Sequence, residues 1–181
     1  MTVHKWIKEL GFNYLTTNTH LLKNKIFCIK QRILDQSIQN QLCILRDNKK
    51  LQFFNKIYRF NKRPSYVDIC RYKSDRSTIC KFRVSAHSLA IERGRYKNIP
   101  VSDRICNSCQ LTQVEDELHF FIYCPEYNNF RHAFINKIKK SIKNFNSLTE
   151  NNINLIFNSN SYIVLKATID YINHCQASSH S

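Results

Sequence analysis

The chain has 181 residues, an apolar fraction of 43% and a formal net charge of +15. This length allows one domain, or two small ones, with a real hydrophobic core, and the composition does not require disorder. Only two glycines and three prolines occur, which disfavours a sandwich or barrel with many tight turns and favours helices.

The first half of the sequence predicts a series of helices. A short amphipathic helix ends at Gly11, and Asn18 or Thr19 offers a cap for the long helix that follows. Cys28 and Cys43 lie along this long helix, and a place in the apolar core is favoured for them over metal binding. Apolar residues recur there at three- or four-residue steps and predict one buried stripe, namely Ile26, Ile29, Ile33, Leu34, Ile38, Leu42 and Leu45.

Further helical segments are expected up to the cysteine-rich region. Residues 48–60 form one piece, which Pro64 ends, and a single helical turn follows around 66–72. The next helix begins at Ser74 or Asp75, and the one after it ends at Gly94 in a left-handed conformation. The residues expected to face inward between 74 and 86 are Ile79, Phe82 and Ala86.

The C-terminal third also predicts helices. An amphipathic helix follows Cys124, with apolar positions at Tyr127, Phe130, Phe134, Ile138 and Ile142 and lysines on its other face. Two more helical segments are expected around 152–157 and 161–174. The predicted fold class is therefore mainly α, a bundle-like helical body with one inserted zinc knuckle. The predicted divisions are 1–98 (basic helical connector), 99–145 (zinc module with its following helix), 146–175 (C-terminal helices) and 176–181 (disordered tail).

The positive charge is concentrated in one part of the chain. Residues 49–104 contain 15 Lys and Arg against 4 Asp and Glu, so this window carries +11 of the total. Such a concentration predicts an acidic partner, and nucleic acid, RNA or DNA, is the first candidate. A membrane surface is disfavoured because no basic stretch shares a helix with a strongly apolar face.

The same sequence predicts an intracellular location, nuclear or cytoplasmic. Lys5, Lys8 and Glu9 stand where a signal peptide needs an apolar core, and the apolar run from Leu118 to Cys124 is too short to span a bilayer. In a chain with no secretory signal, the eight cysteines are expected to be reduced thiols rather than disulfides. Some of them are therefore able to bind metal.

Four residues have the spacing of a zinc site, C-x2-C-x9-H-x4-C, formed by Cys106, Cys109, His119 and Cys124. Two cysteines separated by two residues can direct both sulfurs to one point through a tight knuckle whose amides face sulfur, and a helix or hairpin then returns the other two ligands. Three thiolates and an imidazole leave no open coordination position. The pattern predicts one structural Zn²⁺, no enzyme activity and no small-molecule substrate.

Neighbouring residues leave some alternatives open at this site. His87 and His132 are possible competing ligands, although an ordinary role outside the metal shell is favoured for both. The acidic triplet 115–117 is interpreted as favourable charge at a helix N-terminus. The alternative is a carboxylate that fixes the tautomer of His119.

Basic residues crowd toward the zinc segment with tyrosines among them. Such side chains contact phosphates without sequence preference, and each contact steepens the salt dependence of binding to duplex DNA by about 0.9. An exposed tyrosine can also stack on unpaired bases, although ordinary packing is favoured. The candidate nucleic-acid-binding residues are Arg71, Lys73, Arg76, Arg83, Arg93, Arg95, Lys97 and Tyr96.

Three blocks follow one another in a characteristic order: FRVSAHSLAIERGRY at 82–96, the C-x2-C at 106–109, and EDELHF followed by CPEY at 115–127. Their order and spacing resemble the zinc-binding C-terminal region of the reverse transcriptase polyproteins of non-LTR (LINE-type) retrotransposons. The segment 31–40 also resembles the connection between polymerase and zinc region in that family. The resemblance covers roughly residues 5–145 and is most specific at the cysteines.

The resemblance implies an intracellular module that grips template RNA or target DNA, with Cys106, Cys109, His119 and Cys124 as zinc ligands. It does not carry over polymerase activity, because the Asp-Asp signature is missing and the segment 66–69 has a single Asp. The chain thus resembles a stranded C-terminal fragment of such an element. Two alternatives stay open: a structural or protein-interaction helical module, and a degenerate remnant without selected function.

Overall fold

A computed structural model describes residues 5, 8–12, 25–58 and 63–178. This part of the chain is mainly helical and contains no β-strand, which confirms the predicted fold class. The chain divides into two compact units, Met1–Asn48 and Lys49–Ser181. The sequence grouped the basic stretch after Asn48 with residues 1–48. In the structure this stretch belongs to the same unit as the metal segment, residues 105–124, and the C-terminal helices.

The first unit contains the long helix α1, Ile26–Asp47. Its predicted apolar stripe is only partly covered: no residue of α1 is buried, and Ile26 and Leu34 are each 46% exposed. The other five stripe positions are half-buried. A stripe is buried only where another element covers it, and the described part of this unit places little more than the turn around Leu10 beside α1. The predicted cap at 18–19 lies outside the described residues.

Two smaller predictions in this unit have different outcomes. Gly11 does end a helical turn, with φ of 82° and its amide donating to the carbonyl of Lys8 at 2.9 Å. Cys28 and Cys43, in contrast, are exposed, so the core role assigned to them is wrong. Both lie on sides of α1 that the described residues leave exposed, which explains why they are not core positions.

The second unit is built from seven α-helices among its described residues, with 3₁₀ turns at Lys49–Leu51, Val101–Asp103 and Pro125–Tyr127. The last helix extends to Ser178, into the predicted tail, and residues 179–181 lie outside the described part. The helices are α2 Gln52–Ile57, α3 Tyr66–Ile69, α4 Lys73–Arg83, α5 Ala90–Tyr96, α6 Asn128–Ile138, α7 Ile153–Phe157 and α8 Tyr162–Ser178.

Helix α8 is the centre of the core and packs against α4, α6 and α7. Aromatic rings fill the space in front of it: Phe120 lies 5.1 Å from Phe82 and 5.6 Å from Tyr171, and Phe121 lies 5.4 Å from Phe157, measured between ring centroids. Aromatic pairs of this kind contribute about 0.5–1.5 kcal/mol beyond their buried area. Because Phe120 and Phe121 belong to the metal-binding segment, that segment is part of the helical core.

Two local predictions in this unit are wrong. Gly94 lies inside α5 and not at its end, and a Cβ there would lie 2.5 Å from Cγ of Arg104, so the glycine is needed for close packing. The left-handed residue after α5 is Asn98, with φ of 54°. Ala86 is exposed, because α4 already ends at Arg83 and the chain turns away from the core.

Candidate metal centre

Cys106 and Cys109 lie on a narrow loop between two short antiparallel arms. Ile105 and Val114 form an isolated antiparallel bridge, and the amide of Cys106 donates to the carbonyl of Gln113 at 2.9 Å. The chain therefore reverses direction within a few residues. This reversal is what allows both sulfurs of a C-x2-C pair to approach one point.

His119 and Cys124 lie at the two ends of a π-helical turn, His119–Tyr123. The amide of Cys124 donates to the carbonyl of His119 at 2.7 Å, the five-residue hydrogen bond that defines such a turn. In a regular α-helix, side chains five residues apart point about 140° away from each other and do not converge on one ion. The wider π turn makes the H-x4-C spacing usable, and such turns occur frequently at functional sites.

The four predicted ligands are brought together, with all their ligand atoms within 4.8 Å of one another. The sulfurs of Cys106 and Cys124 are 4.0 Å apart, and the sulfur of Cys109 is 3.4 Å from Nε2 of His119. Sulfurs on one tetrahedral zinc with 2.3 Å bonds are about 3.8 Å apart. The arrangement is therefore compatible with a single tetrahedral metal ion, and three of the four residues are buried.

Burial determines the protonation of this cluster. It raises the pKa of the Cys106 thiol and raises that of Cys124 to about 12, and it lowers the pKa of His119. The neutral imidazole is already the metal-binding form, whereas the buried thiols ionise only when a cation replaces their protons. A backbone hydrogen bond from Ser108 lowers the pKa of Cys106, and one from Glu126 lowers the pKa of Cys124, although burial has the larger effect on both thiols.

The side chain beside Nδ1 of His119 is Gln113 and not a carboxylate. Nδ1 of His119 lies 3.2 Å from Oε1 of Gln113, so a proton on Nδ1 donates to this oxygen and Nε2 is left for the metal. Asp116 instead accepts from the backbone amide of His119 at 2.7 Å. This contact agrees with the interpretation of the acidic triplet as charge at a helix N-terminus. Sequence reasoning missed Gln113, because its place beside His119 depends on the bridge between Ile105 and Val114, which no local pattern predicts.

Glu117 and His87 form a separate buried cluster beside the metal ligands. Glu117 accepts a hydrogen bond from the hydroxyl of Ser85, and its Oε1 lies 2.9 Å from Nε2 of His87. The other ring nitrogen of His87 faces the amide of Leu89 at 3.4 Å. His87 is thus engaged elsewhere and His132 is exposed on α6, so neither belongs to the metal cluster of the described residues.

The knuckle is joined to α5 by two residues that flank its arms. The carboxylate of Glu115 accepts from the amide of Ala90 at 2.6 Å, and its backbone carbonyl accepts from the amide of Ile91 at 3.1 Å. The guanidinium of Arg104 donates to the carbonyls of Ile91 and Ile99 at 2.8–2.9 Å. The N-terminal end of α5 and the loop after the helix are therefore held by residues that flank the metal-ligand loop.

Some of the predicted nucleic-acid-binding residues form hydrogen bonds within the protein, and others are exposed to solvent. Arg83 is a correction: it is 3% exposed, donates to the carbonyl of Phe157 at 2.8 Å and lies 5.5 Å from the ring centroid of Tyr66, so it stabilises the core and does not face a phosphate. The guanidinium of Arg76 donates hydrogen bonds to the carbonyls of Cys70 and Arg71 at 2.6 and 2.9 Å.

The remaining candidates lie at two places in the chain. Arg71 and Lys73 are exposed at the start of α4. Arg93, Tyr96 and Lys97 are exposed on or directly after α5, with Tyr96 at 72%. Both arginines of this helix pair with carboxylates: Arg93 lies 3.6 Å from Glu115, and Arg95 binds Glu92 through two hydrogen bonds of 2.9 and 2.7 Å. The α5 group, Arg93, Tyr96 and Lys97, is the one next to the metal segment.

A cavity of about 620 Å³ lies beside α5, with apolar residues such as Phe53 and Leu118 in its wall. Its carboxylates already have partners. Glu92 binds Lys50 and Arg95, Asp116 caps the turn at His119, and Glu117 binds Ser85 and His87. The cavity resembles a ligand site in size, but its described polar groups serve the local structure.

No protein-family model, no curated protein and no solved structure matches this chain. Within the described ranges, no helix is both long and apolar enough to cross a membrane. Functional inference therefore depends on the geometry of the metal cluster and on the charges around it.

Proposed function

We propose that this chain is a non-catalytic, zinc-stabilised module that binds RNA or DNA through backbone contacts of low sequence specificity. The observation that carries the metal part is the convergence of Cys106, Cys109, His119 and Cys124, with ligand atoms within 4.8 Å. Three sulfurs and one imidazole in a tetrahedral arrangement favour Zn²⁺. Four protein ligands complete its shell, which supports a structural role.

The metal identity has a direct test. Protein purified without added metal should contain one equivalent of zinc by elemental analysis, and Co²⁺ exchanged into the site should give the strong visible absorption of tetrahedral thiolate coordination. A matched control is Cys80→Ser, which removes an exposed cysteine outside the cluster. Purified protein without stoichiometric metal, or a Co²⁺ spectrum unchanged by Cys109→Ser, would contradict the proposal.

The nucleic-acid part is supported by charge and by the connection between knuckle and α5. Residues 49–104 carry a net +11, and Glu115 and Arg104 hold the helix that exposes Arg93, Tyr96 and Lys97. An ordered metal segment therefore presents these side chains at a fixed place. The resemblance to the zinc-binding region of non-LTR retrotransposon polyproteins supports the same function and an intracellular location.

The binding test compares two double charge reversals. Arg93→Glu with Lys97→Glu should weaken binding of labelled RNA or DNA several-fold at 100 mM salt and reduce the salt slope. Because Arg93 also lies 3.6 Å from Glu115, the zinc content of this variant is measured as well and should equal that of the wild type. Lys139→Glu with Lys140→Glu makes the same change in net charge on exposed lysines after α6 and serves as the control. Equal effects of the two variants would show that binding is not localised at α5.

A second candidate function is protein interaction, and a specific observation favours it. Helix α1 exposes large apolar side chains, including Phe27 at 77% and Ile44 at 66%. Exposed apolar surface of this kind marks interaction sites. Absence of binding to RNA and to DNA at low salt would favour this function, or a remnant without selected function, over nucleic-acid binding.

A further inference from the structure

Arg131 on α6 is a buried cation without a described anionic partner. The residue is 7% exposed, and its guanidinium donates to the carbonyl of Phe121 at 2.8 Å, to the carbonyl of Cys124 at 2.6 Å and to the side-chain oxygen of Asn128. All three acceptors are neutral. No carboxylate of the described residues is paired with Arg131, although buried charges are normally paired or bound to metals.

The metal cluster carries the opposite charge when it is loaded. Three thiolates and a neutral imidazole around a divalent ion have a net charge of −1, and Cys106, His119 and Cys124 are buried. Arg131 hydrogen-bonds the backbone of Cys124, one of these ligands, so its charge lies beside the cluster. Interactions between such charges are strong because water does not screen them there.

The two carbonyls that Arg131 binds both belong to the π turn or its end. Phe121 lies within the π turn and Cys124 directly follows it, so the guanidinium bridges the middle and the end of the segment that spaces His119 from Cys124. Carbonyls near a helix end lack intrahelical donors. Arg131 supplies donors to this turn and holds it in its wide form.

We propose that Arg131 is a positioning residue of the metal centre, which clamps the π turn and balances the single negative charge of the loaded three-cysteine, one-histidine site. The proposal depends on the metal part of the proposed function and not on nucleic-acid binding. It assigns to Arg131 a contribution to metal affinity that the ligand spacing alone does not predict.

A merely structural clamp makes a different prediction from a charge-balancing one. Removing the clamp loosens the π turn whatever the charge of the site, so it weakens zinc binding by the same factor for an anionic and for a neutral cluster. Removing the balancing charge weakens zinc binding only where the loaded cluster is anionic, and a lysine at the same position restores part of it. Recovery by lysine and dependence on cluster charge therefore separate the two roles.

The first experiment measures Zn²⁺ affinity of the full chain by competition with a chromophoric chelator. Arg131→Gln should bind zinc about 10–100-fold more weakly, the range found for residues that support metal ligands, while Arg131→Lys should recover part of the loss because it keeps the charge. Thermal unfolding with and without zinc is measured in parallel. Unchanged zinc affinity of Arg131→Gln, or equal loss for the Gln and Lys variants, would overturn the charge role.

The second experiment changes the charge of the site itself. Cys109→His makes the loaded cluster neutral, and Cys109 is the ligand that is partly exposed, so it has the most room for a larger side chain. In this background Arg131→Gln should lower zinc affinity by a clearly smaller factor. The same factor in both backgrounds would overturn charge balance.

The outcomes also separate this proposal from the proposed function. If the wild-type chain binds no zinc, both fail. If it binds zinc and the Arg131 variants bind it equally well, only the role of Arg131 fails.

Discussion

The metal-binding segment and helix α1 both have strong sequence patterns, yet their surroundings in the structure differ. In the metal segment, Phe120 and Phe121 have no exposed surface, and the neighbouring ligands converge within 4.8 Å. In α1, the apolar stripe predicted to be buried contains no buried residue. Four ligands with suitable spacing have to converge on one ion, so the pattern itself predicts which residues lie close together. An apolar stripe predicts that a surface is buried but does not identify the element that packs against it.

The largest difference between the two regions is expected when a metal ligand is removed. Chelation of the metal should remove on the order of 10 kcal/mol of metal-binding free energy and loosen residues 95–130, and Cys109→Ala should remove part of it. Helix α1 should keep its hydrogen-exchange protection, because its hydrogen bonds are local. Exchange measured residue by residue checks this, and equal loss in both regions would contradict it.

The next largest effect concerns the core. Phe121→Ala should destabilise the second unit by about 3–5 kcal/mol, because the ring is fully buried among Phe82, Phe157 and Tyr171. Phe27→Ala on α1 removes the same atoms from a 77% exposed position and should change stability by less than about 0.5 kcal/mol. Denaturant unfolding of the two variants measures the difference. Similar losses would mean that Phe27 is covered in solution.

A pH experiment tests the ion pairs that hold α5. Hydrogen bonds from Arg95 and Lys50 outweigh the opposing effect of burial and lower the pKa of Glu92 to about 2 from its usual 4.5. Since the folded-state pKa is the lower one, the stabilisation is fully present above about pH 4.5 and is lost as the pH falls toward 2. Glu92→Gln should therefore lose about 2–3 kcal/mol at neutral pH and little at pH 2. A loss that is independent of pH would exclude the ionised carboxylate as the cause.

The smallest predicted effect tests the close packing at α5. Gly94→Ala places a methyl group 2.5 Å from Cγ of Arg104, whose guanidinium is held by the carbonyls of Ile91 and Ile99. Overpacking of this kind costs about 1–3 kcal/mol, and we expect the low end because the side chain of Arg104 can shift. Zinc affinity and thermal stability should fall together. Gain of stability, the usual result of Gly→Ala within a helix, would show that the contact is relieved without strain.

Residue patterns with a short range were predictable. The period of apolar residues located α1, α4, α6 and α8 to within a few residues at most ends, and the spacing of the four ligands located the metal cluster. Arg83 and Arg131 were not predictable from such patterns. Nothing in their local sequence distinguishes a guanidinium that binds the carbonyls of Phe157 or Cys124 from one that faces solvent.

By itself, the sequence determined the mainly helical class, the concentration of positive charge and the four candidate metal ligands, because helix period, charge count and ligand spacing are properties of neighbouring residues. The tertiary structure decided the rest: the π turn that makes the ligands converge, Gln113 as the partner of His119, the buried role of Arg83 and the place of Arg131 beside Cys124. These depend on packing and hydrogen bonds that the fold brings together, and no local pattern encodes them.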